Sequence, residues 1–311
     1  MRTAVLTPRG IELREQPQPT AQPGLVLVRS LALGICEGDV FHYREMQSHG
    51  GAETLMGHEG TGTVAAVGPG VTALAPGALV TALGGPYAEL FAVPVERVAV
   101  VPPNVDPTLA LGEPLACCVH AANRFGVRLG DRVAIIGSGF MGLACLQLAR
   151  LQGAAFLCAL EPIAWRREMA LRLGAEAVAD PLERSSADLL REYGEFDVVI
   201  EATGVPGGID LVGDLVRQHG RVVLVGYHQT NGGLRTVNMK QWNFKAIDVI
   251  NGHVRRDDEK MAAMRAALAL VAAGRLDVAP LVTAYPLAEA DQAFRDLAGR
   301  KEGLYKAVLV P

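Results

Sequence analysis

Three separated stretches of the chain carry side chains that suit a metal ion. Gly34-Ile35-Cys36-Glu37-Gly38-Asp39 sets a thiol at a turn beside glycines, at the end of an apolar run. Gly57-His58-Glu59-Gly60 offers an imidazole and a carboxylate side by side, and Gly112-Glu113-Pro114-Leu115 offers another carboxylate. Zinc takes mixed sulfur, nitrogen and oxygen ligands in a tetrahedron, and a catalytic site leaves one position for water or substrate. Held that way, zinc polarises a substrate oxygen so that hydride can leave the carbon that bears it. Each residue taken singly has an ordinary use: Cys36 as a small buried apolar group, His58 as a turn residue, Glu113 as a helix-start acid.

A nucleotide site elsewhere in the chain changes that weighting. Gly137-Ser138-Gly139-Phe140-Met141-Gly142 directly follows the apolar run 132–136 and opens an apolar-periodic stretch. Gly137 permits the tight turn, Gly139 removes the side chain where a pyrophosphate must approach, and Gly142 lets the helix pack closely on the strand. The exposed amides at this helix start, around Phe140 and Met141, then bind the phosphates. Glu161 ends the next apolar run, where a carboxylate accepts bonds from the ribose hydroxyls of NAD and repels the extra phosphate of NADP. Arg166 and Arg167 follow closely and offer the alternative, a seat for a 2′-phosphate. Thr203 and Gly204, in the EATG turn, are expected beside the cofactor, and Val225 and Gly226, with Asn251 and Gly252, near its nicotinamide ring.

Positioning these residues requires two kinds of architecture. From residue 1 to about 103 the pattern is short β-type runs broken by Gly and Pro turns, without long helical periodicity, which predicts a β-rich, barrel-like unit. From about residue 115, apolar runs alternate with amphipathic helical stretches (VAIIG, GFMGLACLQLARLQGA, AFLCALE, AWRREMALRLGA, FDVVIEA, GIDLVGDLVRQHG, RVVLVGY), the mark of a doubly wound parallel sheet. A helical stretch follows from Asp257 to Gly274, and the closing run YKAVLVP is expected to return to the first unit. The expectation is therefore an α/β chain: a β-rich catalytic domain from residues 1–115 and 251–311, with a Rossmann dinucleotide-binding domain, 116–250, inserted between them.

Bulk properties narrow the function further. A formal net charge of −4 with no Lys/Arg-rich run argues against nucleic acid as a partner. No apolar stretch reaches bilayer length and the start lacks an apolar signal core, so no membrane partner and a cytoplasmic location are expected. The 5 cysteines are odd in number and irregularly spaced, which suits free thiols rather than a disulfide framework.

The chain resembles the zinc-containing medium-chain alcohol dehydrogenases over nearly its whole length. The carriers are GIC-x-x-D at 34–39, GHEGTGTVAAVGPGV at 57–71, EPLACCVHAA at 113–122, GSGFMG at 137–142, EATG at 201–204 and GRVVLVG at 220–226. Glu-Pro-Leu at the third metal position looks like the sorbitol and threonine dehydrogenase branch. The resemblance implies a GroES-like catalytic domain, one catalytic zinc and NAD. Cys36 and His58 would bind the metal directly, Glu59 and Glu113 directly or through water, and Asp39 would orient a ligand. It also implies a small alcohol or carbonyl substrate, from among polyols, sugars or hydroxy-amino acids, and a homodimer or homotetramer. Two departures stand out. The hydroxyl that relatives carry for passing the substrate proton outward is replaced by Gly38, leaving His42 or Glu37, with water, as substitutes. The four-cysteine lobe for structural zinc has no counterpart between Glu59 and Glu113. Phe41, His42, Tyr43 and Tyr87 are candidate pocket residues, and Arg44 would serve an anionic substrate. The rival readings are a zinc-free, NADPH-using quinone or enone reductase on the same fold, and a nucleotide-binding protein without turnover.

Overall fold

A computed structural model describes all 311 residues. The chain forms two compact units, one of Met1–Ala116 with Arg256–Pro311 and one of Cys117–Arg255.

The first unit is organised around the strand Leu25–Gly34. It is paired antiparallel with Glu59–Val67, Leu90–Pro94 and Lys306–Val310, inside a seven-stranded sheet. Its residues alternate in burial, with Val26, Val28 and Ser30 turned inward and Arg29 outward, as a half-covered strand requires. The C-terminal run therefore does return to this unit, where it also pairs in parallel with Val282–Pro286. A smaller sheet joins Gly10–Glu15, Arg2–Thr7 and Thr54–Leu55. An aromatic group fills the core, with the Phe294 ring 5.4 Å from Tyr43 and 5.7 Å from Tyr87.

This unit holds a helix that the sequence reading had as part of a β-only stretch. Residues Glu37–His49 form 13 residues of α-helix, entered through Cys36, whose Sγ accepts the Gly38 amide. Only Val40, Tyr43 and Met46 make its apolar stripe, spaced by three residues, too narrow to stand out among polar neighbours.

The second unit is a six-stranded parallel sheet in the order Ala177–Ala179, Phe156–Leu160, Arg132–Ile136, Phe196–Glu201, Val216–Leu224, Asp248–Asn251. Its central strands are apolar on both faces, as parallel strands covered by helices must be. The order reverses between Arg132–Ile136 and Phe196–Glu201, which makes a crevice at their carboxyl ends. One helix is shorter than its pattern predicted. GIDLVGDLVRQHG reads as helical throughout, yet the helix Pro206–Leu215 stops and a strand begins at Val216. The left-handed His219 (φ 54°) bends this strand next to a register shift opposite Phe196–Val198, so local helical periodicity yields to sheet pairing.

Replacing the fully buried Phe294 by Ala removes the ring that joins Tyr43 to Tyr87. A loss of about 3–5 kcal/mol is expected in denaturant unfolding of the first unit; a loss below about 1 kcal/mol would contradict the packing described.

Candidate active site and dinucleotide site

Strand pairing brings the metal candidates together. In the antiparallel register between Leu25–Gly34 and Glu59–Val67, Gly34 lies opposite Glu59, so Cys36 just beyond one strand meets His58 just before the other. One donor atom from each of Cys36, His58 and Glu59 lies within 4.8 Å of the other two. The glycines are steric requirements here. A Cβ on Gly34 would come within 2.1 Å of Glu59 Oε2, and one on Gly57 (φ +106°) would meet Gly85 O at 2.9 Å.

The electrostatics of the cluster are set by a buried lysine. Lys306 Nζ lies 2.6 Å from Glu59 Oε2 and donates to Oε1 at 2.8 Å, with both residues almost wholly buried. Burial pushes the Glu59 carboxyl up and the Lys306 charge pulls it back. Burial also opposes the charge on Lys306, but Glu59 and Cys36 hold the ammonium above the ordinary lysine value. Burial, reinforced by the Glu59 charge, pushes the Cys36 thiol from an ordinary 9.0 up to about 12. Behind His58, Asp39 Oδ2 lies 3.7 Å from the ring Nδ1 and accepts a 2.5 Å hydrogen bond from the buried Tyr87 hydroxyl. Tyr87 is held protonated by burial and by the Asp39 charge, so it remains a donor that fixes this carboxylate.

Glu113 is buried in the same unit but stands outside the three-residue cluster. Its Oε1 accepts a 2.8 Å hydrogen bond from Lys260 Nζ. Burial would raise its carboxyl, yet Lys260, assisted by His58 and Lys306, brings it below the ordinary range.

A cavity of about 600 Å³ opens beside His58 and Asp39 and is lined on its helical side by His42, Glu45 and His49. Of the four pocket residues expected from sequence, only His42 faces this cavity. Tyr43 and Tyr87 belong to the aromatic core, and Phe41 packs edge-on at 5.9 Å from His42. Arg44 is turned away, bound to Glu37 Oε1 at 3.1 Å and to Ala298 O at 3.0 Å. Glu45 and His49 were missed because the spacing that aligns them with His42 is meaningful only on a helix, and the helix itself was not recognised.

In the second unit, the expected cofactor residues cluster at the carboxyl ends of four neighbouring strands. Gly137 (φ +96°) follows Arg132–Ile136, and a Cβ there would strike Thr203 Cγ2 at 2.6 Å; a Cβ on Gly142 would lie 1.9 Å from Gly137 O. Gly139, by contrast, faces open space where a ligand can approach, at the start of the helix Phe140–Leu151. Phe140 is buried, and Met141 places its sulfur 3.4 Å from Cys118 Sγ. Glu161, 4% exposed, accepts the Ser138 amide at 2.8 Å and the Ile163 amide at 3.1 Å, which ties the acid to the glycine turn. Arg167 is engaged by Glu161 O, Pro162 O and Asp180, while Arg166 stacks 5.0 Å over Trp165. The Thr203–Gly204 and Val225–Gly226 turns touch each other: a Cβ on Gly226 would meet Gly204 N at 2.3 Å. Glu201 joins them from beneath, accepting the amides of Thr203 at 2.7 Å and Gly204 at 3.0 Å. His228 contacts Glu201 at 3.0 Å and is in turn held by Arg235 at 2.9 Å. The Glu of EATG was the only sequence signal for this network.

Comparison with known proteins agrees with both halves. A family model described as an alcohol dehydrogenase GroES-like domain matches residues 22–104, and one described as zinc-binding dehydrogenase matches 141–273. Human sorbitol dehydrogenase is 30% identical over 338 residues, covering 96% of this chain and 91% of that protein. The chain belongs to the zinc-containing medium-chain alcohol dehydrogenases. Within this family it is similar to L-threonine 3-dehydrogenase of Caldanaerobacter subterraneus, at 30% identity over 70% of the chain and 73% of that protein. It also superposes, with a TM-score of 0.88 and 27% identity, on a zinc-binding dehydrogenase from Sinorhizobium meliloti bound to NADP, covering 100% of this chain and 99% of that one. Membership makes the chain an NAD(P)-dependent alcohol dehydrogenase in class.

The raised thiol value has a direct readout. In protein stripped of metal, the thiolate fraction of Cys36 should be roughly a thousandfold below that of a free cysteine at the same pH. Iodoacetamide labelling at pH 8, read by peptide mass spectrometry, should leave this residue largely unmodified. Labelling at the rate of a free thiol would show that the group is not buried beside Glu59 as described.

Proposed function

We propose that the chain is a zinc-dependent, NAD-linked dehydrogenase of a secondary alcohol or its ketone, with Cys36, His58 and Glu59 as protein ligands of a single zinc. The observation that carries this reading is the convergence of a thiol, an imidazole and a carboxylate within 4.8 Å, on three residues that suit zinc in kind. Zinc bound there would supply Lewis-acid polarisation of the oxygen on the reacting carbon. Cys36 must lose its proton to become a ligand, so zinc affinity falls as pH falls. Lys306 balances the carboxylate of Glu59, and Asp39 with Tyr87 fixes the setting of His58. The cavity beside His58 receives the substrate, a polyol, sugar or hydroxy-amino acid by analogy with the relatives' sorbitol and threonine.

The proton released on oxidation leaves through His42, which is exposed and lines the cavity beside His58, in place of the hydroxyl that the family resemblance would put at Gly38. A side chain at 38 would fit, since its Cβ would lie 3.6 Å from Cys36 Sγ, an ordinary contact.

Glu161 supports NAD over NADP, since its carboxylate sits on the glycine turn and Arg167 is committed to its neighbours. Gly137, Gly139, Phe140, Met141 and Gly142 would receive the pyrophosphate, and Thr203, Gly204, Val225 and Gly226 the rest of the cofactor. Arg166 is the remaining candidate for contact near the ribose. A homodimer or homotetramer is the assembly proposed: the edge strand Asp248–Asn251, with Val249 43% exposed and Phe244 nearby in sequence at 83%, is the face a second copy would extend. No helix is long and apolar enough to cross a membrane, and the five free cysteines support a cytoplasmic location.

Elemental analysis and a panel of polyols with NAD test the central reading. Wild type should carry about one zinc per chain and reduce NAD, and Cys36→Ser should lose both. Wild type that neither holds nor takes up zinc would sink the mechanism. His42→Gln should lower kcat about tenfold or more near pH 7 with zinc content unchanged, and Gly38→Ser in that background should restore part of it. An unaffected pH–rate profile in His42→Gln would remove this residue from the proton path.

A further inference from the structure

Two of the buried carboxylates of the first unit, Glu59 and Glu113, are treated differently by the lysines that face them. Glu59 holds Lys306 and still lies within 4.8 Å of the donor atoms of Cys36 and His58. Glu113, at the start of the helix Gly112–Phe125, does not join that group; its carboxylate is taken by Lys260, from the helix Asp257–Ala272, at 2.8 Å. The side chains of this pair are only 11% and 18% exposed. An ammonium has donors and no acceptor, and a carboxylate leaving it for a metal would give up an ion pair formed largely away from water.

We propose that Lys260 is a positioning residue that retains Glu113 outside the zinc's protein ligands and thereby keeps the fourth position exchangeable. The inference rests on the zinc reading above. With Cys36, His58 and Glu59 as ligands, a directly bound Glu113 would complete a four-ligand set of the closed, structural kind. It would also add a further negative charge and weaken the Lewis acid. Held on Lys260, Glu113 contributes its field without occupying a position, and the site stays open.

Cobalt(II) in place of zinc makes the coordination visible. Wild type, Lys260→Met, Lys260→Arg and Glu113→Gln would each be loaded with cobalt, titrated with imidazole as an exogenous ligand, and challenged with a chelator. In wild type and Lys260→Arg, imidazole should shift the visible cobalt bands, because one position exchanges. In Lys260→Met, Glu113 is released to bind, so the imidazole response should be lost and retention against chelator should rise about tenfold. Glu113→Gln should retain metal within about twofold of wild type and still answer imidazole.

The proposal is overturned if Lys260→Met answers imidazole as wild type does with unchanged retention, or if Glu113→Gln loses metal about tenfold, which would make Glu113 a direct ligand. Should Lys260→Met fail to fold, Lys260→Gln, which also removes the charge that holds Glu113, takes its place in both readouts with the same expected results. A wild type that takes up neither cobalt nor zinc overturns the zinc reading, whereas metal uptake with the wrong imidazole pattern overturns only the role of Lys260.

Discussion

The antiparallel register of Leu25–Gly34 against Glu59–Val67 and Lys306–Val310 is the constraint on which the cluster of Cys36, His58 and Glu59 depends. Gly34 is opposite Glu59 on one side and Val308 on the other. That single alignment delivers Cys36, His58, Glu59 and Lys306 to one place from three parts of the chain. Side chains alternate between faces along a strand, so a one-residue slip would turn Glu59 away from Cys36 and separate it from Lys306. The buried ion pair reinforces the register, since either charge left alone in the same place would be costly.

A comparable dependence on backbone fit governs the nucleotide unit. Gly137, Gly142, Gly204 and Gly226 have no room for a side chain, and the obstacles are mostly each other's turns and the Glu201 carboxylate beneath them. The loops that would receive the cofactor are therefore one packed assembly. Glu161 and Glu201 serve it in the same way, each accepting backbone amides at the end of its strand, Glu161 from the glycine turn and Glu201 from the EATG turn. Carboxylates placed so can order a loop before any ligand arrives.

Much of this was legible in the sequence because its signals are local. Glycines after an apolar run, an acid ending the next run, and alternation of β-type and helical patterns each report on a few neighbouring residues, and the parallel sheet follows from them. The family resemblance added the link between Cys36 and His58, which no local rule connects. What could not be read depends on distant pairing. Lys306 and Lys260 look like ordinary surface lysines until the sheet and helix that carry them are folded back onto Glu59 and Glu113. The helix Glu37–His49 was hidden by its narrow apolar stripe, and with it the cavity wall formed by His42, Glu45 and His49. At Val216 the helical pattern was real but gave way to the neighbouring strand.

The central claim is that a single thiolate, one imidazole and one carboxylate hold the zinc. X-ray absorption at the zinc edge of the purified protein tests it most directly. The account predicts one sulfur at roughly 2.3 Å with the remaining ligands nitrogen and oxygen near 2.0–2.2 Å. A shell with no sulfur, or with more than one, would contradict it.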